Sequence, residues 1–112
     1  MWKDWLESFL EDNYSNPYLE FKDVMAYFRF SKSYGCSLFK VHLGMTFREK
    51  LREVRLEKAK PLIEETFLPI SEIARRCGFR SPQRLNEAFR KIYGTSPLEQ
   101  RKSGHRRKHS DV

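Results

Sequence analysis

Apolar residues fall at Trp2, Trp5, Leu6, Phe9 and Leu10, the i, i+3, i+4, i+7, i+8 stripe of an amphipathic helix. The spacing predicts a helix ending near Asn13, before Asn16-Pro17. A second apolar stretch, Glu20 to Phe28, carries Phe21, Val24, Met25 and Phe28, and a third helix is expected from Ser31 to near Gly44. Thr46-Phe47-Arg48-Glu49 then has the form of a capping box, in which hydroxyl and carboxylate satisfy orphan backbone donors at the start of a helix. Beyond it Phe47, Leu51 and Val54 line one face and Leu56, Ala59 and Ile63 another, as in a helix wedged between two lobes and buried by both. Helical to about Glu65, it would be some 30 Å long at about 1.5 Å per residue. Pro61 removes a backbone bond and clashes with the carbonyl of Glu57, so a kink or break is expected near Lys60. After Pro69, the stripe Ile70, Ile73, Ala74, Cys77 predicts a short helix closed by Gly78. Ser81-Pro82 caps the next, with Leu85, Ala88, Phe89 and Ile92 as its apolar stripe, Tyr93 beside it and Gly94 at its end. Ser96-Pro97-Leu98-Glu99 repeats the cap and predicts one or two more turns through Arg101. Sustained period-two alternation and hairpin dipeptides are missing, so the fold class is expected to be all-α.

Two of these segments repeat each other 50 residues apart: Ser31, Leu38-Phe39-Lys40 and Gly44-Met45-Thr46 return as Ser81, Ala88-Phe89-Arg90 and Gly94-Thr95-Ser96. One structural unit is used twice. Two short, basic, capped helices would let one chain touch two places on a long, regular, acidic partner, and duplex DNA is such a partner.

Charge sharpens this picture. The chain of 112 residues carries a net +7, yet residues 1–24 hold Lys3 and Lys22 against six acids, so the basic excess lies entirely beyond them. That asymmetry points to a polyanion-facing surface more than to general solubility. With 39% hydrophobic and 14% aromatic residues, the chain can bury a core. No apolar run approaches the length of a membrane span and the first residues do not open a signal peptide, so a cytoplasmic location is expected. Cys36 and Cys77 lack zinc-site spacing, and His105 and His109, although four apart, fall in the polar tail, so neither a metal nor a cofactor is expected. Enzyme signatures are wanting: there is no Ser/His/Asp set, no Gly-rich phosphate loop and no paired-carboxylate cleft.

Ile70 to Lys91 has the pattern of a helix-turn-helix, whose second helix enters the major groove. At 100° per residue, the face of helix 81–93 opposite Leu85, Phe89 and Ile92 is centred on Gln83, Glu87 and Arg90, flanked by Arg84, Asn86 and Lys91. Gln and Asn pair bidentately with adenine, Arg with guanine, and Glu accepts from cytosine N4. A solvent-exposed face with Glu–Arg pairs along the helix fits the same residues.

Arg55-Leu56-Glu57-Lys58-Ala59, Ile70 through Phe79, Phe89-Arg90-Lys91 and Gly94 through Arg101, in that order and spacing, resemble the DNA-binding domain of the AraC/XylS family of bacterial transcription regulators. The resemblance covers residues 3–102. It implies two helix-turn-helix units, about seven helices in all, joined by a long connecting helix and placing recognition helices in successive major grooves. The expected divisions are an N-terminal unit over residues 1–44, a linker helix over 45–66, a C-terminal unit over 67–102 and a disordered basic tail over 103–112. The implied partners are double-stranded DNA at a bipartite site and RNA polymerase. An effector or dimerisation domain, usual in the family, is not expected within so short a chain.

Carried over by position, the base-contacting candidates of the second unit are Gln83, Arg84, Asn86, Glu87 and Arg90, and those of the first are Ser33, Tyr34, Cys36 and Ser37. Phosphate candidates are Arg29, Lys32, Lys40, Arg52, Arg55, Arg80, Lys91 and the Arg106-Arg107-Lys108 run, with Arg55 equally readable as a structural arginine between the lobes. The first copy departs from the family pattern: Arg29 stands where glycine is usual, Gly35 takes the place of the core residue Leu85, and His42 that of Ile92. It is therefore expected to be looser and to read DNA less stringently. The competing function is a helical protein-interaction module docking a partner through Trp2, Trp5 and Phe9, although their single stripe also suits a core.

Overall fold

The computed structural model describes the backbone of residues 1–110 and the side chains of residues 1–104. Among the described residues the order is α1 (Trp2–Asn13), α2 (Phe21–Phe28), α3 (Lys32–Leu43), α4 (Phe47–Glu65), α5 (Ile70–Arg76), α6 (Pro82–Tyr93) and α7 (Pro97–Ser110). Local chemistry sets these bounds. Ser31 and Ser81 accept from the backbone N–H of Tyr34 and Arg84, each at 3.2 Å. Thr46 and Glu49 close the expected capping box on α4, and Glu20 with Asp23 closes one on α2.

Two cores share α4. Its first half sends Leu51 and Val54 into a cluster with Leu6, Leu10, Val24 and Phe39, and its second half sends Leu56, Ala59 and Ile63 into one with Ile73, Leu85 and Phe89. The expected wedge between lobes is thus observed. Of the kink or break expected near Lys60, the break is absent: α4 runs without interruption through Pro61. Pro61 and Glu57 lie on the exposed side of α4, while Ala59 and Ile63 anchor the buried side.

Two further expectations are corrected. Ile92 is 58% exposed rather than part of the apolar stripe, and Tyr93 packs on Phe89 in its place, with ring centroids 4.5 Å apart. The Lys60 ammonium sits 4.9 Å from the Tyr93 ring centre and closes that edge. Residues 103–110 of the segment expected to be a disordered tail continue α7 as helix, and residues 111 and 112 lie outside the described residues. The root of α7 is fixed on α4: Arg101 donates to the carbonyl of Ile63 at 3.0 Å, and Gly104 lies against Glu64. Those late α4 carbonyls have no partner within their own helix, and a cation there also suits the helix dipole.

The lobes are tied by the segment after α1. Arg55 of α4 donates to the carbonyls of Tyr14 at 2.9 Å and Asn16 at 2.8 Å, Arg80 donates to that of Pro17 at 3.1 Å, and Lys58 pairs with Glu11. Gly78 completes the junction. Its φ is +86°, and a Cβ there would stand 2.0 Å from the Tyr14 carbonyl oxygen, so only glycine brings the turn this close.

Candidate nucleic-acid interface

The two capped helices α3 and α6 are equivalent in detail. Each has 12 residues, a serine N-cap and a left-handed glycine C-cap, Gly44 at φ 71° and Gly94 at φ 76°. Their burial is in phase. Leu85 and Phe89 are buried where Gly35 and Phe39 are buried, and Gln83, Arg84, Asn86, Glu87 and Arg90 are exposed where Ser33, Tyr34, Cys36, Ser37 and Lys40 are exposed. The helices that precede them match at an offset one residue shorter. Phe30 N–H bonds the Met25 carbonyl at 3.2 Å and Phe79 N–H the Ala74 carbonyl at 2.9 Å, which aligns Arg29 with Gly78 and leaves Arg80 as an extra residue in the second turn.

Arg29 takes the left-handed conformation, φ 58° and ψ 47°, at the place where Gly78 takes it without strain. The space an anchoring side chain would fill at Gly35 is occupied. A Cβ there would meet Phe30 at 2.4 Å and Phe21 at 2.8 Å, so aromatic rings occupy the volume that Leu85 fills in the other unit. His42 and Ile92 are both exposed and carry no packing difference. The core of the first unit is therefore filled at this position.

Between the helices lies an open groove of about 1110 Å³. Lys32, Cys36 and Lys40 of α3 form one wall, Arg84, Glu87 and Lys91 of α6 the other, and Arg48 and Arg52 of α4 lie on its floor. Ser33, Tyr34 and Ser37, like Gln83, Asn86 and Arg90, do not line it and stand on the exposed sides of their helices. Tyr34 leans into the aromatic cluster of its lobe, its ring centroid 6.3 Å from those of Trp2 and Phe30. Arg48 is an addition that sequence reading passed over, because Thr46-Phe47-Arg48-Glu49 was explained by capping alone.

The cations divide by commitment. Arg29, Lys32, Lys40 and Lys91 are exposed. Arg55 is spent on the two carbonyls, and burial, with Arg80 nearby, lowers its pKa to about 10, so of its two readings the structural one describes what it does here. Arg80 is shared: its Nε holds the Pro17 carbonyl, its guanidinium lies over Tyr18 at 5.1 Å, and it borders the groove. The side chains of His105, Arg106, Arg107, Lys108 and His109 lie outside the described residues. Among those that are described, no three His, Cys, Asp or Glu residues gather as a metal site would require, and no helix is long and apolar enough to cross a membrane.

A pair of helix-turn-helix units sharing one long helix, with both second helices exposed along one groove, defines a helical domain of the double helix-turn-helix class. A family model described as a helix-turn-helix domain matches residues 24–103. The chain is 37% identical over 98 residues to a probable transcriptional regulator, LumQ, of Photobacterium leiognathi, covering 82% of this chain and 39% of that protein. It is 28% identical over 100 residues to the melibiose operon regulatory protein of Escherichia coli, covering 89% of this chain and 33% of that one. Among solved structures, the C-terminal domain of AraT, a response regulator from Geobacillus stearothermophilus, matches with a TM-score of 0.86 and 30% identity, over 91% of this chain and 84% of that one. The DNA-binding domain of the transcriptional factor AdpA, in complex with a target DNA, matches with a TM-score of 0.87 and 25% identity over 94% of both chains. The chain belongs to the AraC/XylS family, as its helix-turn-helix domain. It spans between a third and two-fifths of the length of these two curated relatives.

Proposed function

We propose that this chain binds double-stranded DNA sequence-specifically, as the DNA-binding part of a bacterial transcription regulator. In this reading α3 and α6 enter successive major grooves on one side of a bipartite site. One observation carries it: two helices with the same caps and the same buried phase expose their polar faces on a frame shared through α4, with a cation-lined groove between them. The 19 residues of α4 give about 28 Å, close to the groove repeat of about 34 Å. Gln83, Arg84, Asn86, Glu87 and Arg90 read bases in one half-site, and Ser33, Tyr34, Cys36 and Ser37 read those in the other. Arg29, Lys32, Lys40, Arg48, Arg52, Arg80 and Lys91 hold phosphates. Such a module works in the cytoplasm, beside RNA polymerase.

The protein-docking alternative finds less support. Trp2 and Phe9 pack against the first core, which leaves Trp5 as the exposed member of the aromatic stripe.

Selection of binding sites from random duplex DNA tests the proposal. The expected result is a motif of two unlike half-sites about one helical turn apart, with affinity falling as log salt rises at about −0.9 per phosphate neutralised. Gln83→Ala and Arg90→Ala should each relax one position of one half-site by about 1 to 3 kcal/mol, whereas Lys40→Ala should weaken all sequences alike. Equal, sequence-independent losses in all three variants would overturn base reading by α6.

A further inference from the structure

An unpaired carboxylate stands where a polyanion is expected to bind. Of the two acids lining the groove, Glu20 is paired with Lys22 and serves the cap of α2, while Glu87 has no hydrogen bond and no ion pair among the described residues. Partners are at hand: Arg84 is three residues before it, Arg90 three after and Lys91 four after, on the same exposed face. On α5 the same spacing is used in full, because Glu72 binds Arg75 and Arg76 at i+3 and i+4. Glu87 is therefore free in the unbound protein, and its charge opposes every phosphate its neighbours attract. At the equivalent place α3 carries Ser37, which opposes none.

We propose that Glu87 is the specificity filter of α6, accepting a hydrogen bond from the N4 amino group of one cytosine and disfavouring duplexes that offer no donor there. The inference rests on the DNA-binding reading above. In the major groove cytosine presents a donor with no acceptor on the same base, whereas adenine sets its N7 acceptor beside N6, guanine presents only acceptors and thymine an acceptor and a methyl group. A carboxylate, which only accepts, gains most at cytosine, less at adenine, where N7 opposes it, and loses at guanine and thymine. Gln83 and Arg90 lie along the same face on either side, so the cytosine falls between the positions those two read. Discrimination then comes as much from repulsion of wrong sites as from attraction to the right one.

Sites are selected from random DNA with the wild-type chain, Glu87→Ala and Glu87→Gln, and affinities are then measured on the winning site, on that site with the cytosine pair replaced, and on a random duplex. Both substitutions fall on an exposed helical position, so folding is not at stake. The expected wild-type motif holds one cytosine position that Glu87→Ala loses, with a fall in discrimination of about 5- to 150-fold there. Affinity of the alanine variant for random duplex should rise about two- to fivefold, the size of one exposed charge interaction. Glu87→Gln should move the preference at that position toward adenine. If all three proteins select the same bases, or if alanine raises affinity for every duplex equally, Glu87 is no filter, and a bipartite motif in those experiments would leave the DNA-binding reading standing. A wild-type selection without any motif would remove both.

Discussion

Gly78 shows how much one residue decides. It ends a helix-turn with a positive φ and also lets the backbone meet the Tyr14 carbonyl, two demands that no other residue type satisfies together. Gly94 has a similar φ but nothing within 4 Å of a would-be Cβ. Gly94→Ala should therefore cost about 1 to 2 kcal/mol, the left-handed penalty alone. Gly78→Ala should cost about 3 kcal/mol or more, since overpacking adds to that penalty, and denaturant titration of both variants measures the difference. Glu72 gives a pH signature at the same scale. Hydrogen bonds from Arg75 and then Arg76 lower its pKa from 4.5 to about 2. A carboxylate with a depressed folded pKa stabilises above its unfolded pKa and loses that stabilisation as pH falls through the folded one. Between pH 4.5 and 2 the melting temperature of Glu72→Gln should therefore fall less steeply than that of the wild-type chain.

At the scale of elements, the helices and their ends were largely legible in sequence, because caps and apolar stripes are local. What sequence missed was set by packing from elsewhere. Gly35 read as a lost anchor, since nothing in its neighbourhood along the chain shows that Phe21 and Phe30 fill the space from another direction. Ile92 read as core from periodicity, yet it sits in the last turn of α6 and is exposed, while Tyr93 packs on Phe89 beneath Lys60. Pro61 read as a kink or break because propensity counts the lost bond, yet α4 continues through it with Pro61 and Glu57 on its exposed side. The proline still costs the helix that bond. Pro61→Ala should raise stability by about 1 to 3 kcal/mol in chemical denaturation and leave the selected DNA motif unchanged. A loss of stability would mean that α4 needs the proline for its shape.

The whole molecule measures 52 × 24 × 21 Å, and its lobes are joined by more than a shared helix. Arg55, Arg80, Lys58 and Gly78 fasten the segment after α1 to the second lobe. This junction was only half visible in sequence: Arg55 could be read as phosphate-binding or structural, and its partners are backbone carbonyls 41 and 39 residues away. Which face of the duplicated helices is exposed was readable from period alone; that Cys36 of α3 and Arg84 and Glu87 of α6 border one groove depends on this junction. We predict that such a frame fixes the spacing between α3 and α6 rather than letting it vary. Affinity measured across duplexes in which base pairs are added or removed one at a time between the two half-sites tests this most directly. A fixed frame gives a single sharp optimum near one helical turn, with one added pair costing most of the contribution of a half-site. Equal affinity across spacers of several lengths would mean that α3 and α6 do not act as one rigid reader, and would contradict the account.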